Sequence, residues 1–278
     1  MFAGRKLIIA TKHKKETVID PLFRNAFDVE CFVDPFFDSD TLGTFTGEIE
    51  RKEDPITTLR QKCLLAMDSN ACDLGVASEG SFGPHPSYFF VPADDELMIF
   101  IDKKNNLEII ARSVSTSTNF NGKYITTEKE LFEFAALVDF PSHGLIIQKN
   151  KNDFSFIQKG IHDQSELLNH FNFCLEKFDG AYIETDMRAM HNPMRMRVIE
   201  DVATQLIEKI KSRCPECLTP GFTVTELIEG LPCEWCNSPT SSIITHRYSC
   251  TKCDYKEDRN YPHGKKFEEP MYCNNCNP

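Results

Sequence analysis

The 278-residue sequence lacks any apolar run long enough to cross a bilayer, which excludes a helical membrane span. It has little positive charge. Thirty-one Lys and Arg face 42 Asp and Glu, for a net charge of −11, which argues against general binding to nucleic acid or anionic membranes. The opening stretch MFAGRKLIIATKHKKE has an apolar patch too short for a secretory signal and no small-residue cleavage site. It reads as the first buried strand of a cytoplasmic protein. Cysteine is scarce over most of the chain: only Cys31, Cys63, Cys72 and Cys174 precede residue 213. The other eight of the twelve fall in CxxC pairs after it, a usage that fits metal in a reducing compartment better than disulfides.

Those pairs are Cys214/Cys217, Cys233/Cys236, Cys250/Cys253 and Cys273/Cys276. Two thiolates separated by two residues can grip one ion from a single tight turn, and two such knuckles complete a tetrahedral site. Four knuckles predict two structural zinc ions, in a tail too small to fold easily without them. Sequential, interleaved and nested pairings all have plausible spacing. CEWCNSPTSSIITHRYSCTKC looks most like a self-contained ribbon, which favours nesting, with the outer knuckles forming the second site. From Cys214 onward six Lys and Arg stand against nine Asp and Glu, so this ribbon lacks the positive face that nucleic acid would need. A protein partner is the other role open to it.

Ahead of the tail, strand and helix patterns alternate. KLIIAT (6–11) reads as a buried strand, followed by a helix through KETVIDPLFRNAF, bent or interrupted at Pro21. Asp54 and Pro55 open a second helix as N-cap and first residue. LGVAS (74–78) predicts the next buried strand, with Glu79 in a glycine-rich loop at its end. ELMIFID and LEIIARS flank KKNN as a hairpin, and Thr127 with Glu130 forms a capping-box pattern. The strand GAYIET (180–185) precedes a last helix that starts at Asn192 and Pro193. The pattern predicts an α/β domain with a mixed sheet flanked by helices over residues 1–212, then a two-zinc ribbon domain over 213–278.

In an open α/β sheet, ligands bind beyond the carboxyl ends of the strands. Those ends carry His13, Lys15 and Glu16, then Glu79 and its glycines, then Asp186, Arg188, Asn192 and Arg195. The loop GTFTGE, with Glu48, could join them. Cations, glycines, a helix N-terminus and separate carboxylates suit a phosphate ester with a divalent metal such as magnesium. Arg195 sits in the first turn of a helix, where the macrodipole is already positive, and a bound anion would account for that placement. The alternative is that Arg188 and Arg195 pair with Glu184, Asp186 or Glu200.

GTFTGEIER, ASEGSFGPHP and TDMRAMHNPMRM, followed by four CxxC knuckles, resemble a bacterial family catalogued as a domain of unknown function. A more distant similarity is to the inosine/xanthosine triphosphate pyrophosphatase superfamily. It rests on ATKHKKE, on TLRQKC with Lys62, and on LGVASEGSFG. The chain departs from that superfamily at His13, at Lys15 and at HNPMRM. The resemblance implies metal-dependent nucleotide hydrolysis, with Lys15, Arg188 and Arg195 on the phosphates; His13 and Asn192 join that phosphate set by their position at the strand and helix ends. The resemblance gives Glu48 and Glu79 to metal and water, and with Lys15 these form the expected catalytic set. The expectation is a protein that binds a phosphorylated small molecule, either hydrolysing it or sensing it without turnover.

Overall fold

A computed structural model describes residues 1–37 and 54–278, so Glu48 and the GTFTGE loop lie outside the described residues. The chain divides into two compact units, Met1–Leu206 and Ile207–Pro278.

Two sheets form the first unit. In one, β1 (Lys6–Ala10), β2 (Glu30–Phe32), β3 (Leu74–Pro84), β4 (Pro92–Asp102) and β5 (Leu107–Ser115) line up in the order β2-β1-β3-β4-β5. The β2, β1 and β3 strands run parallel and the remainder antiparallel, which makes the sheet mixed. The helix α1 (Glu16–Phe27) joins β1 to β2 and runs unbroken through Pro21, so of the two expected outcomes, a bend or an interruption, the interruption does not occur. Proline lacks the N–H that would bond four residues back, so one bond is forgone while the turns on either side continue. The helix α2 (Pro55–Ser69) starts as expected, with Asp54 accepting hydrogen bonds from the N–H groups of Ile56 and Thr57. Leu59, Cys63, Ala66 and Met67 of α2 pack on Ile8, Ala10, Ala77 and Ile99 of the sheet.

The β3 strand is longer than the sequence pattern suggests. SEGSFGP continues the strand and pairs residue by residue with β4, so Glu79 lies within a strand and not in a loop. Opposite residues of an antiparallel pair share a face. Gly80 faces Glu96 and Phe82 faces Asp94 on one side, while Glu79 faces Leu97 and Ser81 faces Asp95 on the other. Gly80 is a glycine for a local reason: a Cβ there would collide with Glu96 Oε1 and the Arg195 guanidinium.

The second sheet is antiparallel throughout, with β6 (Gly122–Ile125), β7 (Leu145–Gln148), β8 (Ile157–Ile161) and β9 (Ala181–Thr185) in the order β6-β9-β7-β8. One face packs Ile125, Leu145, Ile147, Ala181 and Ile183 with α3 (Glu128–Leu137) and α4 (Gln164–Phe178) in a single core. Thr127 caps α3 through the N–H of Glu130. The last helix, α5 (Pro193–Lys211), begins after Asn192, whose Oδ1 accepts from the N–H of Arg195 at 2.9 Å. Its stripe of Val198, Ile199, Val202, Leu206 and Ile210 is buried.

The second unit holds a three-stranded antiparallel sheet of β10 (Thr223–Glu229), β11 (Ile243–Ser249) and β12 (Lys256–Asn260). Its apolar core is small: Cys214, Phe222 and Cys250 with Tyr248 and Tyr255 against them.

Candidate functional site

The eight tail cysteines gather into two clusters, Cys214–Cys217–Cys250–Cys253 and Cys233–Cys236–Cys273–Cys276. Within each, the four Sγ atoms lie within 4.8 Å of one another, so each cluster could hold a metal ion. The pairing is interleaved, which corrects the expected nesting. Each strand carries the chain from one end of the small sheet to the other. Thr223 opens β10 opposite Ser249 at the close of β11, while Glu229 pairs with Ile243 at the far end. Knuckles separated by single strands therefore alternate between the ends, and first meets third while second meets fourth. Four soft thiolates are a donor set that suits zinc, and an ion held by all four would have no open position for a substrate.

A different kind of cluster lies in the first unit, on the α1 side of the β3–β4 pair. Lys15, where α1 begins, donates from Nζ to Ser78 Oγ at 2.9 Å and stands 3.8 Å from Glu96 Oε2. Arg195 Nε donates to Glu96 Oε1 at 2.7 Å, and its Nη1 to the carbonyl oxygen of Met187 at 2.5 Å. The guanidinium carbon lies 5.3 Å from the centre of the Phe82 ring. Arg195 is 2% exposed and Glu96 fully buried. Asp94, two residues along the same strand face, is also buried. Both its carboxyl oxygens, and Oε2 of Glu96, find no hydrogen-bond partner among the described residues. Burial, then the charge on Glu96, pushes the Asp94 carboxyl up to about 8. Burial brings the Lys15 ammonium down to about 7 against the opposing pull of Glu96.

The opposite face of β3 carries a cleft of about 250 Å³, lined by Asp54, Ile56, Glu79, Ser81, Asp95 and Arg112 among others. Glu79 is held from α2 by the buried Lys62, whose Nζ lies 3.3 Å from Glu79 Oε2 and 3.1 Å from the carbonyl oxygen of Ser78. Arg112 grips Asp95 through two hydrogen bonds of 2.8 and 2.6 Å. The start of α2, the Asp95–Arg112 pair and Glu79, the last paired with Lys62, thus border one cleft.

Among the residues singled out from the sequence, the structure brings Lys15 and Arg195 together around Glu96 and sets Glu79 with Lys62 on the other face. Arg188 is tied to Asp186, with its closest contact 2.6 Å, which is one of the pairings weighed for it. The Asn192 side chain is committed to capping α5 and to Asn119, to which its Nδ2 donates at 2.9 Å. His13 lies half-buried in the loop after β1, its N–H on Thr11 Oγ1 at 3.3 Å. Asp94, Asp95, Glu96 and Arg112 escaped the sequence reading. The signal was in PADDELMIFID, where Asp94 and Glu96 stand in phase with the buried Met98 and Phe100.

Residues 62–278 match the family described as "Domain of unknown function (DUF6671)". No curated protein matches the chain. Among solved structures, protein VC0702 from Vibrio cholerae is similar at 11% identity, covering 74% of this chain and 94% of that one with a TM-score of 0.33.

Proposed function

The chain belongs to the DUF6671 family, and we propose that its first unit binds a phosphorylated small molecule in the cleft bordered by Glu79 and Arg112. The observation that carries this reading is the pair of ion pairs, Lys62–Glu79 and Arg112–Asp95, around one cleft beside the start of α2. Both members of the first pair are nearly buried, at 9% and 13% side-chain exposure. Cations held this way are already oriented, so a phosphate that displaces their carboxylates gains charge-assisted hydrogen bonds at little ordering cost. The freed carboxylates of Glu79 and Asp95 are hard oxygen donors at the cleft, the donor type that magnesium takes. Magnesium there would neutralise charge on the phosphate oxygens.

The distant resemblance to nucleotide pyrophosphatases favours hydrolysis over sensing. In that reaction Glu79 accepts a proton from water as the water oxygen bonds to phosphorus, and the bond to the leaving phosphate oxygen breaks. Lys62 and Arg112 hold the phosphate. Lys15 and Arg195 act at one remove, fixing the strand face behind Gly80 through Glu96. In the second unit, zinc in both thiol clusters holds a ribbon whose partner is a protein.

The test is a panel of nucleoside triphosphates, inosine and xanthosine forms included, incubated with the full chain and magnesium. Phosphate and pyrophosphate release are measured together with the shift in melting temperature. Glu79→Gln should cut turnover at least about a hundredfold, the scale of a lost general base, while the nucleotide still raises the melting temperature. Binding without turnover by the wild type would assign the site to a sensor. No binding by any of the panel would remove the phosphate reading.

A further inference from the structure

A second cleft, of about 350 Å³, opens where the far end of the β3–β4 hairpin meets β6 and β9. Its walls are aromatic: Phe89, Phe90, Phe120 and Tyr182. Phe89 and Phe90 are 78% and 88% exposed, an unusual state for two successive phenylalanines in a loop held by hydrogen bonds. His85 and Val91 close that loop with a 2.7 Å backbone bond, and the N–H of Val91 returns to Tyr88 at 2.9 Å. The rings are therefore presented by an organised turn.

Three polar side chains also line the cleft, and they are complementary in kind. Glu184 is an acceptor, while Lys151 and Asn121 can donate. Glu184 lies on the same face of β9 as Tyr182, away from the aliphatic core, and accepts from Gln148 Nε2 at 2.8 Å through Oε1. Burial raises its carboxyl above the usual range, the cost of keeping an acid against aromatic walls. Gly122 matters here. A Cβ at this position would collide with the Tyr182 hydroxyl and press on Glu184 Cβ, so glycine lets both side chains occupy the sheet face.

We propose that this cleft binds a planar nitrogen heterocycle of nucleobase type, stacked on the phenylalanines with its donor and acceptor edge toward Glu184, Asn121 and Lys151. Stacking tolerates any ring with a π-face, and the polar groups then set its orientation. The volume is that of a small-molecule pocket, and its few polar groups among apolar walls follow the same pattern. The ligand needs no phosphate, so the inference stands apart from the function proposed above.

The experiment titrates the full chain with adenosine, guanosine, cytidine and uridine, none of which carries phosphate, by calorimetry and by saturation-transfer NMR. At least one should bind at millimolar concentration or below, with its base protons receiving the strongest transfer. Phe89→Ala with Phe90→Ala, both on the exposed turn and outside the core, should weaken that binding about tenfold or more, the scale of lost base stacking. Glu184→Gln should reorder the four nucleosides by affinity, because an amide offers a donor where the carboxylate accepts. Absence of binding by all four, or unchanged binding in the double alanine variant, would overturn the proposal. So would a double variant whose only effect is to turn a dimer into a monomer, since the rings would then serve contact between copies.

Discussion

In the first unit, opposite charges are taken out of water: Glu96 lies between Lys15 and Arg195, with Asp94 close behind on the same strand face. In the second unit the ion pairs on the small sheet stay wet. Arg247 bonds Asp258 and Glu226 on the open face of the small sheet, and the polar groups buried there include thiols gathered for metal. The difference follows from size. The first unit has enough apolar core to bear the desolvation of a charged network, provided every charge has a partner. The second has an apolar core of a few residues, and metal held by its two thiol clusters would supply what hydrophobic burial cannot.

Removing metal should therefore separate the units most sharply. Zinc bound by four thiolates contributes about 10–16 kcal/mol per site in small zinc domains. A strong chelator at mildly acidic pH should collapse the amide NMR dispersion of residues 223–260 and leave that of residues 1–206 intact. Collapse of both would show that the first unit depends on the second.

Next in size is Glu96→Ala. It leaves Arg195 and Lys15 buried without their anion and should cost about 3–5 kcal/mol, read from urea unfolding of the first unit. The matching change in the second unit, Arg247→Ala, breaks two exposed pairs and should leave metal-bound stability nearly unchanged. Equal losses would mean that Glu96 is better solvated than its burial implies.

A third effect is one of pH, spread over several pH units. With its carboxyl raised to about 8, Asp94 in the folded chain keeps a proton that the unfolded chain has released. This contribution is whole below the ordinary carboxylate range and declines as pH climbs to about 8, by at most about 1.4 kcal/mol per pH unit. Lys15 works in the other direction. Between about 7 and its ordinary value near 10.5, the unfolded chain holds a proton that the folded one lacks, so stability recovers with rising pH. Unfolding free energy should thus pass through a minimum near pH 7 to 8, and Asp94→Asn should remove only the descending limb. A flat profile in the wild type would show that neither group is perturbed.

The same contrast governs what the amino-acid order reveals. The tail is legible because its ligands come in local pairs: CxxC identifies both partners of each knuckle. Only the pairing of knuckles needed the third dimension, and counting one strand between consecutive knuckles predicts the interleaving. In the first unit, strands, helices and the caps at Asp54, Thr127 and Asn192 follow from periodicity and local chemistry. The Glu96 cluster does not, since Lys15, Ser78, Glu96 and Arg195 come from four distant segments. Arg195 looked like half of an anion site because its first-turn position is unfavourable. Its observed partner sits 99 residues away on β4, beyond the reach of any local pattern.

The crossed order of the knuckles makes the metal-bound tail a clasp with two pins. A protease that cut between Cys236 and Cys250 would leave Cys214, Cys217, Cys233 and Cys236 on one piece and the other four thiols on the second. Each ion would then bridge the cut, so the severed chain would migrate as one body. Release would require both ions to leave, and the loss of either alone would go unseen in a sizing experiment.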